Sequence, residues 1–400
     1  MKTKTLIGIL LIAFALAAPV TAQEIGEVAY LEGEPEVVRN GETLTWEVDF
    51  GFPIENFDQV SSGDYGLVEV VFDPQTGIDG TVTVQPNSSF YFEVTELAGG
   101  GTSGVVEMLS GTVNMRVNRL AGSSQVNVRT QSAVMGVRGT DFDVTVAGAG
   151  DLLVTAKEGR VECRDDSGSS LFAEPGQVVE QTADGRFRTI PVAVSDLEEF
   201  RQEWFTDRIE VFRGQALRAI RNYANRYEEL IVQFAEAYNN LLSEREILRK
   251  WISEDEEGVI GGTQEVMREK RAVVRHMGDI RRVLFIFERI YYRLLELQEY
   301  HEEGYGRGQI GGGMSTTAFF SQFESDRPAL EERMATVRYI FKLYTKRNDG
   351  QMPFDFSNAF DSEFFQTDDD FMNDDGFMGD DDFMGDDEDP FEGRFPGGGR

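Results

Sequence analysis

Hydrophobic and polar positions change their rhythm once, near Ser195, and the two halves predict different folds. From about residue 24 to 192 the apolar residues alternate with polar ones in short runs bounded by glycine and polar turns. Leu67–Phe72, Gly80–Val84 and Ser89–Val94 are such runs. Gly111–Val117, Gln125–Arg129, Phe142–Val146 and Leu152–Ala156 continue the series. A period of two places one side of each strand on a core, so this half reads as all-β: a sandwich, a barrel or a solenoid. No long helical period interrupts it, which disfavours a βαβ enzyme fold.

After Ser195 the apolar spacing becomes three and four. Ser195 and Glu198 match a capping box, in which each side chain satisfies the other's free backbone donor. Leu197, Phe200 and Trp204, then Ile209, Phe212, Leu217, Ile220 and Tyr223, then Tyr227, Leu230, Phe234, Tyr238, Leu241, Leu248 and Trp251 mark one stripe, predicting a helix of about 55 residues and about 80 Å. Gly258–Gly262 interrupts it, and a second stripe from Val266 to Leu297 predicts a helix over about 263–303. A third, shorter helix is expected from about Pro328, with Leu330, Met334, Val337, Ile340 and Tyr344 on one face. The simplest arrangement is a long antiparallel hairpin closed into a three-helix bundle over 195–347, with an apolar seam that also suits self-association.

The two ends differ again. Lys2 and Lys4, the apolar run Leu6–Ala18 and the small residues before Gln23 form a secretory signal over 1–22. The mature chain is then expected in the periplasm, secreted, or on the bacterial cell surface, with no stable membrane span after cleavage. Residues 348–400 carry near-repeats such as Phe377-Met378-Gly379-Asp380, with sixteen acidic residues against two basic from Gly350 onward. Such a run has too little apolar surface for a core of its own and reads as a disordered acidic tail. Its Phe354, Phe356, Phe360, Phe364, Phe365, Phe371, Phe377 and Phe383 suit docking into apolar pockets of a basic partner; a purely solubilising tail fits equally well.

Charge narrows the function. A formal net charge of -33 repels nucleic-acid phosphates and anionic lipid, and favours cationic partners. One cysteine, Cys163, excludes an internal disulfide and reads as a structural thiol within a strand. His276 and His301 stand alone on helical segments without metal spacing, no Gly-x-Ser-x-Gly elbow is present, and the glycine runs lack a phosphate-binding context. The tail lacks EF-hand spacing. No catalytic residues, no cofactor and no metal site are therefore expected.

The sharpest local motif is Ser132–Val144, with Gly136, Val137, Arg138, Gly139, Thr140, Asp141 and Phe142 at its centre. Gly136 and Gly139 suit a turn or a close approach, Arg138 is placed to pair with Asp141, and Phe142, Val144 and Val146 alternate toward a core. This stretch resembles the FecR domain family, whose strand entry has the same glycine–threonine–aspartate–phenylalanine order. Val128-Arg129-Thr130, Lys157–Val161, Pro175-Gly176-Gln177, Leu31-Glu32-Gly33 and Ser62-Gly63-Asp64 fit the family's flanking steps, extending the resemblance over about 25–180. The resemblance implies an all-β domain outside the cytoplasmic membrane, with the motif residues in a structural role. Its best-known members relay signals to a sigma factor through a cytoplasmic segment and a membrane helix; here only the signal precedes the domain, so relay is not carried over. The expected function is an exported, non-enzymatic binding or scaffolding protein that contacts envelope proteins; the alternative is a regulatory sensor working through a separate membrane partner.

Overall fold

A computed structural model gives the fold and describes residues 24–137, 139–147, 150–165, 167–183 and 185–353. The signal segment, Arg138 and the tail phenylalanines from Phe354 onward lie outside the described residues. The order is β first, then α, as the patterning predicts.

The strands between Glu24 and Pro191 form two facing sheets that share one strand. The first sheet runs Pro53–Glu55, Glu24–Glu32, Leu67–Phe72, Ile78–Val84, the end of Thr102–Leu120, Thr140–Ala147, Asp151–Glu158, Gln177–Gln181 and Phe187–Pro191. The second runs Glu42–Leu44, Glu36–Arg39, Gln59–Ser61, Ser89–Glu96, the start of Thr102–Leu120, Gln125–Arg129, Ala133–Val137, Val161–Asp165 and Ser170–Ala173. Val82, Met115, Phe142 and Val154 from the first sheet meet Phe90, Phe92, Met108, Val128 and Met135 from the second in one fully buried core. The fold is therefore a sandwich, which the alternation alone left open against a solenoid or barrel.

The shared strand Thr102–Leu120 crosses from one sheet to the other at Gly111. Gly111 has φ 82°, and a Cβ there would sit 2.2 Å from Ser88 Oγ and 2.5 Å from the Asn87 carbonyl oxygen. Only glycine fits that left-handed, crowded pivot. The strand's first half, Thr102–Ser110, did not stand out as a run in the sequence because both of its faces are buried and little alternation remains.

Four α-helices follow among the described residues: α1 (Leu197–Leu242), α2 (Arg245–Glu256), α3 (Thr263–Glu302) and α4 (Thr316–Lys346). Three sequence expectations are corrected here. The first stripe is not one helix: it breaks at Ser243–Glu244, where the Ser243 hydroxyl donates to the Asn240 carbonyl at 2.6 Å and the chain redirects Trp251 into the bundle. The capping box does not close. Ser195 Oγ donates to the Asp196 carboxylate at 2.6 Å, while Glu198 pairs with Arg201 at 2.7 Å. The last helix starts at Thr316, twelve positions before Pro328, which lies inside it. Its first turns are held by the Ser315 hydroxyl, which accepts from Ala318 N at 3.1 Å, and by buried Phe319, Phe320 and Phe323. Those contacts offset the hydrogen bond that proline cannot donate.

The helices are not a free stalk. Leu197 and Trp204 pack on Leu153 and Val178 of the first sheet, and Trp204 Nε1 donates to Glu180 at 2.8 Å. Farther along, α1, α3 and α4 form an aromatic core with Tyr91 and Leu109 from the outer face of the second sheet and Phe57 from the turn before Gln59–Ser61. No helix among the described residues is long and apolar enough to cross a membrane.

Candidate functional site

The second sheet's outer face decides how the two halves meet. Side chains alternate in Ser89–Glu96: Phe90 and Phe92 enter the sandwich, so Tyr91 and Glu93 face the helices. The same alternation turns Glu107 of Thr102–Leu120 and Arg129 of Gln125–Arg129 to that side. Arg281, Phe285, Arg289 and Tyr292 recur at helical spacing along α3 and meet them.

The junction is built from buried charge pairs. Arg281 Nη2 donates to both Glu93 carboxylate oxygens, at 2.5 and 2.6 Å. Glu107 lies between two guanidiniums: Arg289 Nη2 at 2.7 Å and Arg129 Nη2 at 2.9 Å. The Arg289 guanidinium also lies 3.4 Å from the Phe285 ring centroid. From α4, Arg338 donates to Glu288 and, at 2.7 Å, to Gln59 Oε1. Gln59 Nε2 donates in turn to Tyr292 OH at 2.5 Å and Ser89 Oγ at 3.1 Å. Lys342 reaches Glu55 and, at 2.9 Å, Asn40 Oδ1. Charges of this kind contribute little net attraction after desolvation, but each is costly if its partner is removed, so they fix one docking geometry.

Glu288 is the most deeply buried of these charges. It is fully buried, and its Oε2 accepts no hydrogen bond among the described residues. Burial pushes its carboxyl above the ordinary range, against the pull of Arg338 and Arg289. Because the folded state then holds the proton more tightly than the unfolded chain, this group favours folding below the ordinary carboxylate range near about 4.3. That contribution is lost as pH rises through the raised folded value. As pH rises above the ordinary carboxylate range, stability of the native chain is expected to fall relative to Glu288→Gln, as read from urea midpoints. Parallel pH profiles for the two proteins would contradict this placement.

Beside the junction a cleft of about 900 Å³ opens between the second sheet and α3–α4. Ser61, Ser89, Gln59 and Tyr292 line it, with Glu299 and Arg327 toward its mouth. Burial, helped by Glu296, pushes the Glu299 carboxyl up. Its serines, Gln59 and Tyr292 offer hydrogen bonding, and Glu299 and Arg327 offer charge.

The motif that stands out in the sequence lies elsewhere. Val137 and Phe142 are buried in the sandwich core, and Thr140 is buried beside them. Gly136 sits within a strand, and Gly139 takes φ 64° at the turn. Asp141 accepts from Arg116 Nε at 3.0 Å and Nη2 at 2.8 Å, and from Asn114 at 3.1 Å. Burial raises its carboxyl, but those hydrogen bonds outweigh burial and hold it below the usual range. Gly159 packs its α-carbon against this turn; a Cβ there would lie 2.4 Å from the Gly139 carbonyl oxygen. Cys163 is buried in the sandwich core, and burial pushes its thiol up to about 12, well away from a reactive thiolate. His301 is buried at the end of α3, with its ring nitrogens against Tyr305 O and Thr317 Oγ1 at 3.2 and 3.1 Å.

Residues 58–162 match the family described as FecR protein. They fall inside the segment likened to that family from its motifs, and they include Glu93, Glu107 and Arg129 of the junction. Two crystal structures of candidate anti-sigma factors from Parabacteroides distasonis are similar at low level. One is 20% identical, covers 36% of this chain and 64% of its own, and has a TM-score of 0.30. The other is 19% identical, covers 43% and 65%, and has a TM-score of 0.24. The chain thus spans just under two thirds of the length of each. No curated protein matches the chain.

Proposed function

We propose that this chain is an exported, non-enzymatic binding and scaffolding protein of the bacterial cell envelope, built on a FecR domain. One observation carries the reading. The outer face of the second sheet is already occupied by the chain's own helices through Glu93–Arg281 and Glu107–Arg289, so the two halves present a single rigid surface. A rigid platform suits holding partners in fixed relation, and the FecR match supports a regulatory or binding role rather than catalysis. The same match favours a second reading, a sensor of envelope state that acts through a separate membrane partner.

In the scaffolding reading the tail phenylalanines Phe354, Phe356, Phe360, Phe364, Phe365, Phe371, Phe377 and Phe383 supply a docking segment, as the sequence suggests. The test is reciprocal capture from the envelope fraction, using the mature chain with and without 354–400. The expected result is a defined envelope protein that retrieves this chain in return and is lost with the tail. Capture that persists without the tail would move the site to the folded part. No reciprocal partner in either form would sink the scaffolding reading.

A further inference from the structure

The strongest unassigned surface lies along the edge of the first strand, Glu24–Glu32. Its outer side is paired with Pro53–Glu55 only through Glu27, and Val28 then exchanges backbone hydrogen bonds with Gly51 and Phe52. From Ala29 to Glu32 the strand pairs only with Leu67–Phe72 on its inner side, so its outer side is open among the described residues. Open strand edges accept extended segments through main-chain hydrogen bonds.

Aromatic side chains flank that edge and are not buried. Trp46 is 93% exposed, Tyr65 91% and Phe50 75%, with Tyr30 on the strand itself. They are placed by tight backbone. Gly33 and Gly66 pass so closely that a Cβ on Gly33 would lie 2.9 Å from the Gly66 α-carbon, which sets the Tyr65 loop against the strand's end. Gly51, at φ 78°, turns the loop carrying Trp46 and Phe50 onto Val28.

Charge selects the occupant. Between Glu24 and Asp73 the sequence holds thirteen acidic residues and a single base, Arg39. Arg39 is taken up by Asp58, at 2.5 Å, and Glu55, at 3.2 Å. Glu27, Glu32, Glu34, Glu47, Asp49 and Asp64 are left exposed around the aromatics. A second copy of so acidic an edge would be repelled, whereas aromatic faces among carboxylates attract ammonium and guanidinium groups. The geometry points to a docking edge for an extended, lysine- or arginine-bearing segment of a protein partner. This deepens the binding reading by naming the partner's chemistry.

Trp46 supplies the readout. Of the three tryptophans, Trp204 and Trp251 are buried, so acrylamide quenching of the mature full-length chain reports on Trp46. The probe is a ten-residue peptide alternating lysine with valine or threonine, compared with its glutamate counterpart. The lysine peptide is expected to protect Trp46, and protection should fade as salt rises from about 50 to 500 mM. Phe50→Ala with Tyr65→Ala should weaken binding about tenfold, followed by anisotropy of labelled peptide, since both rings are exposed and the fold does not need them. Unchanged quenching, equal protection by the glutamate peptide, or protection that grows with protein concentration alone would overturn the assignment. Reciprocal envelope capture that survives the double variant leaves the scaffolding reading standing and removes this edge alone.

Discussion

Glu107→Ala is expected to destabilise the protein by about 3–5 kcal/mol, as measured by urea unfolding. Glu107 is almost fully buried and neutralises two guanidiniums, Arg289 at 2.7 Å and Arg129 at 2.9 Å. Truncating it leaves both cations buried without the carboxylate they share, and Arg289 with only the more distant Glu288 charge. The loss therefore reflects stranded charge more than a lost attraction. A second construction separates the two. Glu107→Leu combined with Arg129→Met and Arg289→Met removes every charge at that point, and should recover most of the stability that the single change loses. A loss below about 1 kcal/mol for Glu107→Ala would mean that water reaches the junction and that the helices do not seal the sheet.

Phe287→Ala is the second large effect, expected at about 3–5 kcal/mol. Phe287 is fully buried on α3. Its ring stacks on Phe234 of α1 with centroids 4.7 Å apart and planes 6° from parallel, and lies 5.9 Å from Tyr227. Alanine would leave a cavity among large rings that cannot collapse inward. Because the same cluster runs on to Tyr91 and Leu109 of the second sheet, the loss should appear in a single cooperative transition covering sheet and helices. A separate early transition confined to the helices would show instead that the bundle is an independent unit.

Much of this architecture is legible in the residues, because period-two and period-four patterns report burial directly. Gln125–Arg129 forms a strand with the bounds its alternation suggests, and the second long helix starts at Thr263, just ahead of its stripe, as expected. The breaks were harder to see. Ser243 ends α1 through its own backbone contact while the apolar stripe continues to Trp251, so periodicity alone hides the bend. Pro328 reads as a helix start, yet Phe319, Phe320 and Phe323 carry the helix ahead of it by tertiary packing.

The junction was missed for a different reason. Glu93 and Arg281 are separated by 188 positions, and nothing local joins them. One signal was present. Val105-Val106-Glu107-Met108-Leu109 is apolar at successive positions around one carboxylate, the pattern of a strand covered on both faces with a charge that needs a partner. The arginines of α3 recur on a face beside the apolar stripe, and together with that strand they specify a charged contact surface.

Native-state hydrogen exchange addresses the central claim, that the helices are locked onto the second sheet as one unit. If they are, amides of 102–110 in the sheet and 280–294 in α3 open with similar free energies, and Glu107→Ala lowers both together. If the α3 amides exchange far faster while 102–110 keep their protection, and Glu107→Ala changes neither relation, the helices are a detachable arm and the rigid-platform account fails.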